Sequence, residues 1–147
     1  MSSFQVIVGS MLGGSEYVAE ACEETLTALG HQVELHFQPN FAQILNKKQI
    51  WLICTSTHGA GDYPDNIQKF VTDLKNSDQD LSSVKFLTIG LGDSNYDTFC
   101  YAAKSINKLL LSKGCNEILP LITLDMSQDI DPEERSQIWL NENKDHL

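Results

Sequence analysis

Short apolar runs alternating with longer stretches of helical spacing constrain this chain more than any other feature. Residues 4–8 read as a buried strand ending at Gly9. Residues 14–29 then place Tyr17, Val18, Ala21, Cys22, Thr25 and Leu29 on one face, a helical stripe stopped by Gly30. Residues 32–37 alternate like a second strand. Residues 49–55 (QIWLICT) are a third, apolar enough for burial on both faces. A helix follows Pro64, which suits a first-turn position, with Ile67, Phe70, Val71 and Leu74 inward. Residues 84–91 are a fourth strand. Phe99, Ala102, Ala103, Ile106, Leu109 and Leu110 mark the next helix, closed by Gly114, residues 117–124 a fifth strand, and Pro132 onward a last helix with Ile138, Trp139 and Leu140.

Strands alternating with helices call for an α/β three-layer sandwich: a five-stranded parallel sheet with helices on both faces and right-handed crossovers. Pro120 lies inside the fifth run, and because proline removes a ladder donor it places that strand at an edge. The order 2-1-3-4-5 meets this requirement and opens a ligand crevice where strands 1 and 3 part.

At 147 residues, with no internal repeat, linker or low-complexity segment, the chain predicts one domain over 1–147. No apolar run approaches membrane-spanning length, and the N-terminus lacks the basic and apolar pattern of a secretion signal. Cys22, Cys54, Cys100 and Cys115 form no C-x-x-C pair, and read as buried small hydrophobes in a reducing compartment. Together these features predict a cytoplasmic protein with neither a metal site nor a membrane partner. The net charge of −10 argues against nucleic acid. No Lys or Arg precedes Lys47, whereas Glu16, Glu20, Glu23, Glu24 and Glu34 do, and a second acidic run covers residues 125–134. Such one-sided charge suits docking onto basic protein surfaces.

Ligands of such a sheet sit beyond the carboxyl ends of its strands, so the loops after strands 1, 3 and 4 carry the chemistry. The first, G-S-M-L-G-G-S over 9–15, leads into a helix start where free backbone N–H groups favour an anion. It lacks the G-K-[ST] ending of a nucleotide P-loop, and read alone it is equally a strand–helix turn with a serine cap. The second, T-S-T-H-G-A-G-D-Y-P over 55–64, combines hydroxyls with flexible glycines and suits a polar heterocycle. The third, G-L-G-D-S-N-Y-D-T-F-C over 90–100, offers Tyr96 for stacking on a planar ring. No serine or cysteine has the base and orienting partner of a nucleophile, so no catalytic residue is expected.

Taken together, the three loops resemble those of the flavodoxin family over nearly the whole chain. S-M-L-G-G-S is similar to the family's phosphate loop, T-S-T-H-G-A-G-D-Y-P-D-N to the middle flavin loop, and G-L-G-D-S-N-Y-D-T-F-C to the third loop. In W-L-I-C-T-S-T-H-G-A-G-D, Y-D-T-F-C and the acidic stretch before the last helix, the chain resembles the short-chain MioC-type flavodoxins. The resemblance implies a flavodoxin-like fold and FMN as cofactor. It implies that Ser10, Met11, Leu12, Gly13, Gly14 and Ser15 wrap the phosphate. Thr55, Ser56, Thr57, His58, Gly59 and Gly61 would line one side of the isoalloxazine and ribityl chain. Leu91, Gly92, Asp93, Tyr96, Phe99 and Cys100 would border the other, with Tyr96 stacked on the ring. Met11 and Leu12 stand where family members often carry Thr, and His58 where diflavin reductases often have an aromatic residue.

The function implied is a monomeric electron carrier between an NADPH-dependent flavodoxin reductase and an acceptor redox enzyme, biotin synthase among them. Gly59, followed by Ala60-Gly61, tolerates φ > 0 and can turn its carbonyl toward N5–H of a reduced flavin. Asp62, Asp93 and Asp97 would oppose the anionic, fully reduced ring and hold the second reduction at low potential. The alternative on the same fold is an FMN-dependent NAD(P)H:quinone reductase. A phospho-acceptor domain of this strand order would need carboxylates after strand 1, where the chain has Gly9-Ser10.

Overall fold

The computed structural model describes residues 2–10, 14–45 and 50–147. In chain order the elements are β1 (Ser3–Gly9), α1 (Gly14–Ala28), β2 (Gln32–His36), α2 (Phe41–Leu45), β3 (Ile50–Thr55), α3 (Asp65–Asn76), β4 (Lys85–Gly92), α4 (Tyr101–Ser112), β5 (Asn116–Glu117), β6 (Ile122–Asp125) and α5 (Pro132–Glu142). All named strand pairings are parallel. The sheet runs β2-β1-β3-β4-β5, and β6 also pairs with β4.

Alternation along each strand divides the core between two faces. Phe4, Val6 and Val8 of β1, Leu52 and Cys54 of β3, and Leu87, Ile89 and Leu91 of β4 meet Val18, Cys22 and Leu26 of α1 and Leu140 of α5. The intervening Ile7, Trp51, Ile53 and Phe86 meet Ile67, Phe70 and Leu74 of α3 and Ile106 and Leu110 of α4. Two polar residues on this second face have side-chain partners. The Gln5 side chain is bonded to His36, and Thr88 Oγ1 to Asn107 Oδ1 at 2.8 Å. The two apolar layers hold the central strands fixed, so their carboxyl ends form a rigid rim for the loops.

Four sequence expectations change. The fifth strand, expected over 117–124, is two segments at one sheet position, β5 and β6, and Pro120 lies between them. Ile118 still donates to Phe86 at 2.9 Å, but proline cannot continue the ladder, and pairing resumes only at Ile122. The short α2 was not expected; its Phe41 and Ile44 are buried beside Trp51 and Phe70. Tyr17, expected inward, is 62% exposed, because α1 turns Ser15, Val18, Ala19, Cys22 and Leu26 to the core instead. Phe99 lies outside α4, which starts at Tyr101 after a left-handed turn at Cys100 (φ 54°). Among the described residues, no helix is long and apolar enough to cross a membrane.

Candidate functional site

The loops after β1, β3 and β4 gather at one end of the sheet. Gly9 makes their convergence possible: it faces Thr55 across the β1–β3 ladder, and a Cβ there would lie 2.2 Å from Thr55 Oγ1. Ser56 donates its backbone N–H to Gly9 O at 3.0 Å, which ties the second loop to the start of the first. Thr55 is fully buried and donates its hydroxyl to Ser56 O at 2.8 Å.

In the first loop, the Ser10 N–H donates to Asn66 Oδ1 at 3.0 Å. Gly14 and Ser15 open α1. The Ser15 side chain is 1% exposed, and its Oγ has no hydrogen-bond partner among the described residues. A buried hydroxyl at a helix start, where the first backbone N–H groups have no partner within the helix, is suited to donate to an anion. Met11, Leu12 and Gly13 lie outside the described residues.

The second loop closes on itself. His58 and Asp62 exchange backbone hydrogen bonds at 2.8 Å in both directions, and Gly61 also donates to His58 O at 3.3 Å. Between them Gly59 sits at φ 54° and Gly61 at φ 109°, conformations that disfavour side-chain-bearing residues. Thr57 faces away from this turn: its Oγ1 accepts the Ala102 N–H of α4 at 3.1 Å.

The third loop is pinned by carboxylates. Asp93 Oδ1 accepts from Asn95 N at 2.9 Å, and Tyr96 N donates to Asp93 O at 3.1 Å. Asp125 Oδ1 accepts from Ser94 N at 3.1 Å, Ser127 N at 3.0 Å and Ser127 Oγ at 2.7 Å. These bonds hold the Asp125 carboxyl well below the usual carboxylate range. Cys100 is the one non-glycine residue with positive φ among those described. It packs where Gly90 and Gly92 leave room; a Cβ on Gly92 would come within 3.0 Å of both Cys100 N and Sγ. Burial raises the Cys100 thiol to about 11, which Lys104 partly offsets and Asp125 reinforces. The thiol is therefore neutral near pH 7 and serves as an apolar wall.

Between the second and third loops lies a cavity of about 360 Å³, lined by Thr57, Gly59, Gly92, Asp93, Tyr96, Thr98, Phe99 and Cys100. All but Thr98 belong to the set anticipated from the sequence. Tyr96 is 68% exposed at its rim, an aromatic face without an intramolecular cover. Ser10, Gly14, Ser15, Thr55, Ser56, His58 and Gly61 do not line this cavity. Leu91 turns instead into the core on the α1 side. Sequence reasoning missed Thr98, Asn66 and Asp125. Asn66 ends the motif T-S-T-H-G-A-G-D-Y-P-D-N, and Asp125 opens an acidic run that was read only as charge. No group of His, Cys, Asp or Glu among the described residues is arranged to hold a metal ion.

This donor set fits FMN. Gly59 and Gly92 leave room beside Tyr96, Phe99 and Cys100 for a flat ring, the Thr57, Thr98 and Asp93 side chains offer polar groups for its edge, and the Ser15 hydroxyl at a helix start has no partner among the described residues. No Lys or Arg lines the cavity.

Comparison with known proteins agrees with this geometry. The Flavodoxin family profile matches residues 6–139. The chain is 43% identical over 135 residues to the protein MioC homolog of Haemophilus influenzae, covering 92% of both chains. It is 38% identical over 140 residues to protein MioC of Escherichia coli K12, covering 95% of both. A solved cysteine-to-alanine mutant of the flavodoxin from Pseudomonas aeruginosa superposes with a TM-score of 0.90 at 29% identity, covering 99% of this chain and 98% of that one. The chain belongs to the flavodoxin family, of MioC type, whose cofactor is FMN.

Proposed function

We propose that this chain carries single electrons between an NADPH-dependent flavodoxin reductase and acceptor redox enzymes, biotin synthase among them. The observation that carries the reading is the cavity between the second and third loops, with Tyr96 exposed at its rim. When bound, FMN supplies one-electron chemistry, which the protein tunes but does not perform.

In this reading Ser10, Gly14 and Ser15, with Met11, Leu12 and Gly13, receive the phosphate, and the Ser15 hydroxyl finds its missing acceptor there. Thr57 and Gly59 border the ring on one side. Gly92, Asp93, Phe99 and Cys100 border it on the other, and Tyr96 stacks on it. Thr55, Ser56, His58 and Gly61 shape the second loop around them. Gly59, already at φ 54°, would be able to turn its carbonyl toward the bound ring as a hydrogen-bond acceptor. Asp62, Asp93 and Asp97 oppose negative charge on the ring. The acidic surface, net −10, guides a monomeric cytoplasmic carrier onto basic faces of its partners.

The test is titration of the purified protein with FMN followed by stepwise anaerobic photoreduction. A saturable flavin spectrum and two resolved one-electron steps support the carrier reading. Steady NADPH–quinone turnover by the protein alone would move it to the quinone reductases, and absence of binding would remove it.

A further inference from the structure

Asn66, in the first turn of α3, uses its whole amide on backbone groups at the ends of two neighbouring strands. Its Oδ1 accepts the Ser10 N–H at 3.0 Å, while Nδ2 donates to Val8 O and, at 2.9 Å, to Phe37 O. The partners fix the orientation of the amide: reversed, it would aim N–H at N–H and oxygen at two carbonyls. We propose that Asn66 is a positioning residue for phosphate recognition, setting where β1 leaves the sheet and the first loop begins, and so selecting FMN over riboflavin. The inference rests on the phosphate reading of residues 10–15 given above.

Two features support it. The first loop has no lysine or arginine, so phosphate affinity depends on how well neutral donors are aimed. The Ser10 amide, which a phosphate could otherwise draw inward, is already committed to Asn66. The Ser10 backbone therefore marks the fixed edge of the loop, and phosphate contacts fall to other groups, among them the Ser10 side chain and the Ser15 hydroxyl. Asn66 does not line the cavity between the second and third loops, so its loss leaves the ring's walls in place.

The experiment measures FMN and riboflavin binding by fluorescence quenching for the wild-type chain, Asn66→Asp and Asn66→Ala, with the melting midpoint of each flavin-free protein as control. Asn66→Asp sets a carboxylate oxygen against Val8 O and Phe37 O; Asn66→Ala removes all three bonds and keeps the test open if the first variant does not fold. FMN affinity should fall about tenfold, equivalent to about 1.4 kcal/mol, while riboflavin affinity changes by less than about twofold. An unchanged FMN-to-riboflavin ratio in a folded variant overturns the role of Asn66. Equal affinity of the wild-type chain for both flavins would instead overturn the phosphate reading, and this inference with it. Hydrogen exchange in the wild-type protein gives an arm independent of substitution. The Ser10 amide should exchange slowly without FMN, and fast exchange there would overturn its bond to Asn66.

Discussion

The Thr57 hydroxyl accepts the Ala102 backbone N–H at 3.1 Å across 45 positions of sequence, so α4 is capped from the loop after β3. The residue at its own N-cap position, Cys100, makes no side-chain cap bond. One hydrogen bond thus satisfies a helix end and joins the two walls of the cavity. Thr57→Val keeps the shape and removes the acceptor, and should cost about 1 kcal/mol of stability, as other lost caps do. FMN and riboflavin should weaken together, since the wall meets the ring and not the phosphate. Thr57→Ser should restore both. Calorimetric melting and paired flavin titrations would decide, and a Val variant that matches wild type in both would refute the coupling.

Gly59 is constrained by backbone angle, not by space. A Cβ there would meet nothing nearer than Asp62 Oδ2 at 3.7 Å, yet its φ of 54° disfavours a branched side chain by roughly 1–2 kcal/mol. Gly59→Val should therefore narrow the gap between the two one-electron midpoint potentials of the bound flavin. Spectroelectrochemistry would read this directly, and an unaltered gap would detach Gly59 from redox tuning.

Gly9 presents the opposite case. Its backbone angle is unexceptional, but an added Cβ would lie 2.2 Å from Thr55 Oγ1 and 2.8 Å from Ile67 Cδ1. Gly9→Ala must push β1 from β3, and overpacking of this kind costs about 1–3 kcal/mol. The expected result is a lower urea midpoint with little change in secondary structure by circular dichroism. Wild-type stability in this variant would show that Thr55 turns aside freely.

Stability should also fall on the alkaline side. Burial raises Cys22 to about 12 and Cys100 and Cys115 to about 11 from an ordinary 9.0, and raises Cys54 as well. As pH climbs from about 9 toward these folded values, the unfolded chain releases thiol protons that the native chain retains, so stability complete below 9 is progressively lost. Urea midpoints at about pH 8 and pH 10.5 should differ, and Cys22→Ala should reduce the difference. The same drop in that variant would take Cys22 out of the account and leave the loss to Cys54, Cys100, Cys115 and Tyr63, which burial also raises.

The sheet order was legible in the sequence because burial on both faces writes continuous apolar runs, as in residues 50–55. Pro120 marked the edge correctly, yet its deeper consequence, a strand split in two, depends on where pairing resumes, at Ile122, which no local pattern encodes. Tyr17 was misplaced because it borders the apolar stripe that carries Val18, Ala21 and Cys22, and only the packing of α1 sets where that stripe ends. The cavity walls were legible because glycine, hydroxyl and aromatic residues cluster in loops. Asn66 and Asp125 were not, since Ser10, Val8 and Phe37 reach Asn66, and Ser94 reaches Asp125, only once the fold is formed. Their side chains look like ordinary surface polarity until the ends of the strands converge.

The split edge strand has a mechanical consequence. The segment from β5 onward is laddered to β4 through two short stretches, Asn116–Glu117 and Ile122–Asp125. Tension applied at the C-terminus would peel β6 from β4 before it reached the central strands, whose ladders are longer. Asp125, the last residue of β6, is also the carboxylate that grips Ser94 in the third loop. Peeling would therefore withdraw a clasp from the third loop while the sheet beneath it remained intact. The tail is thus a ripcord for the cofactor, and force on it should release flavin before it unfolds the protein.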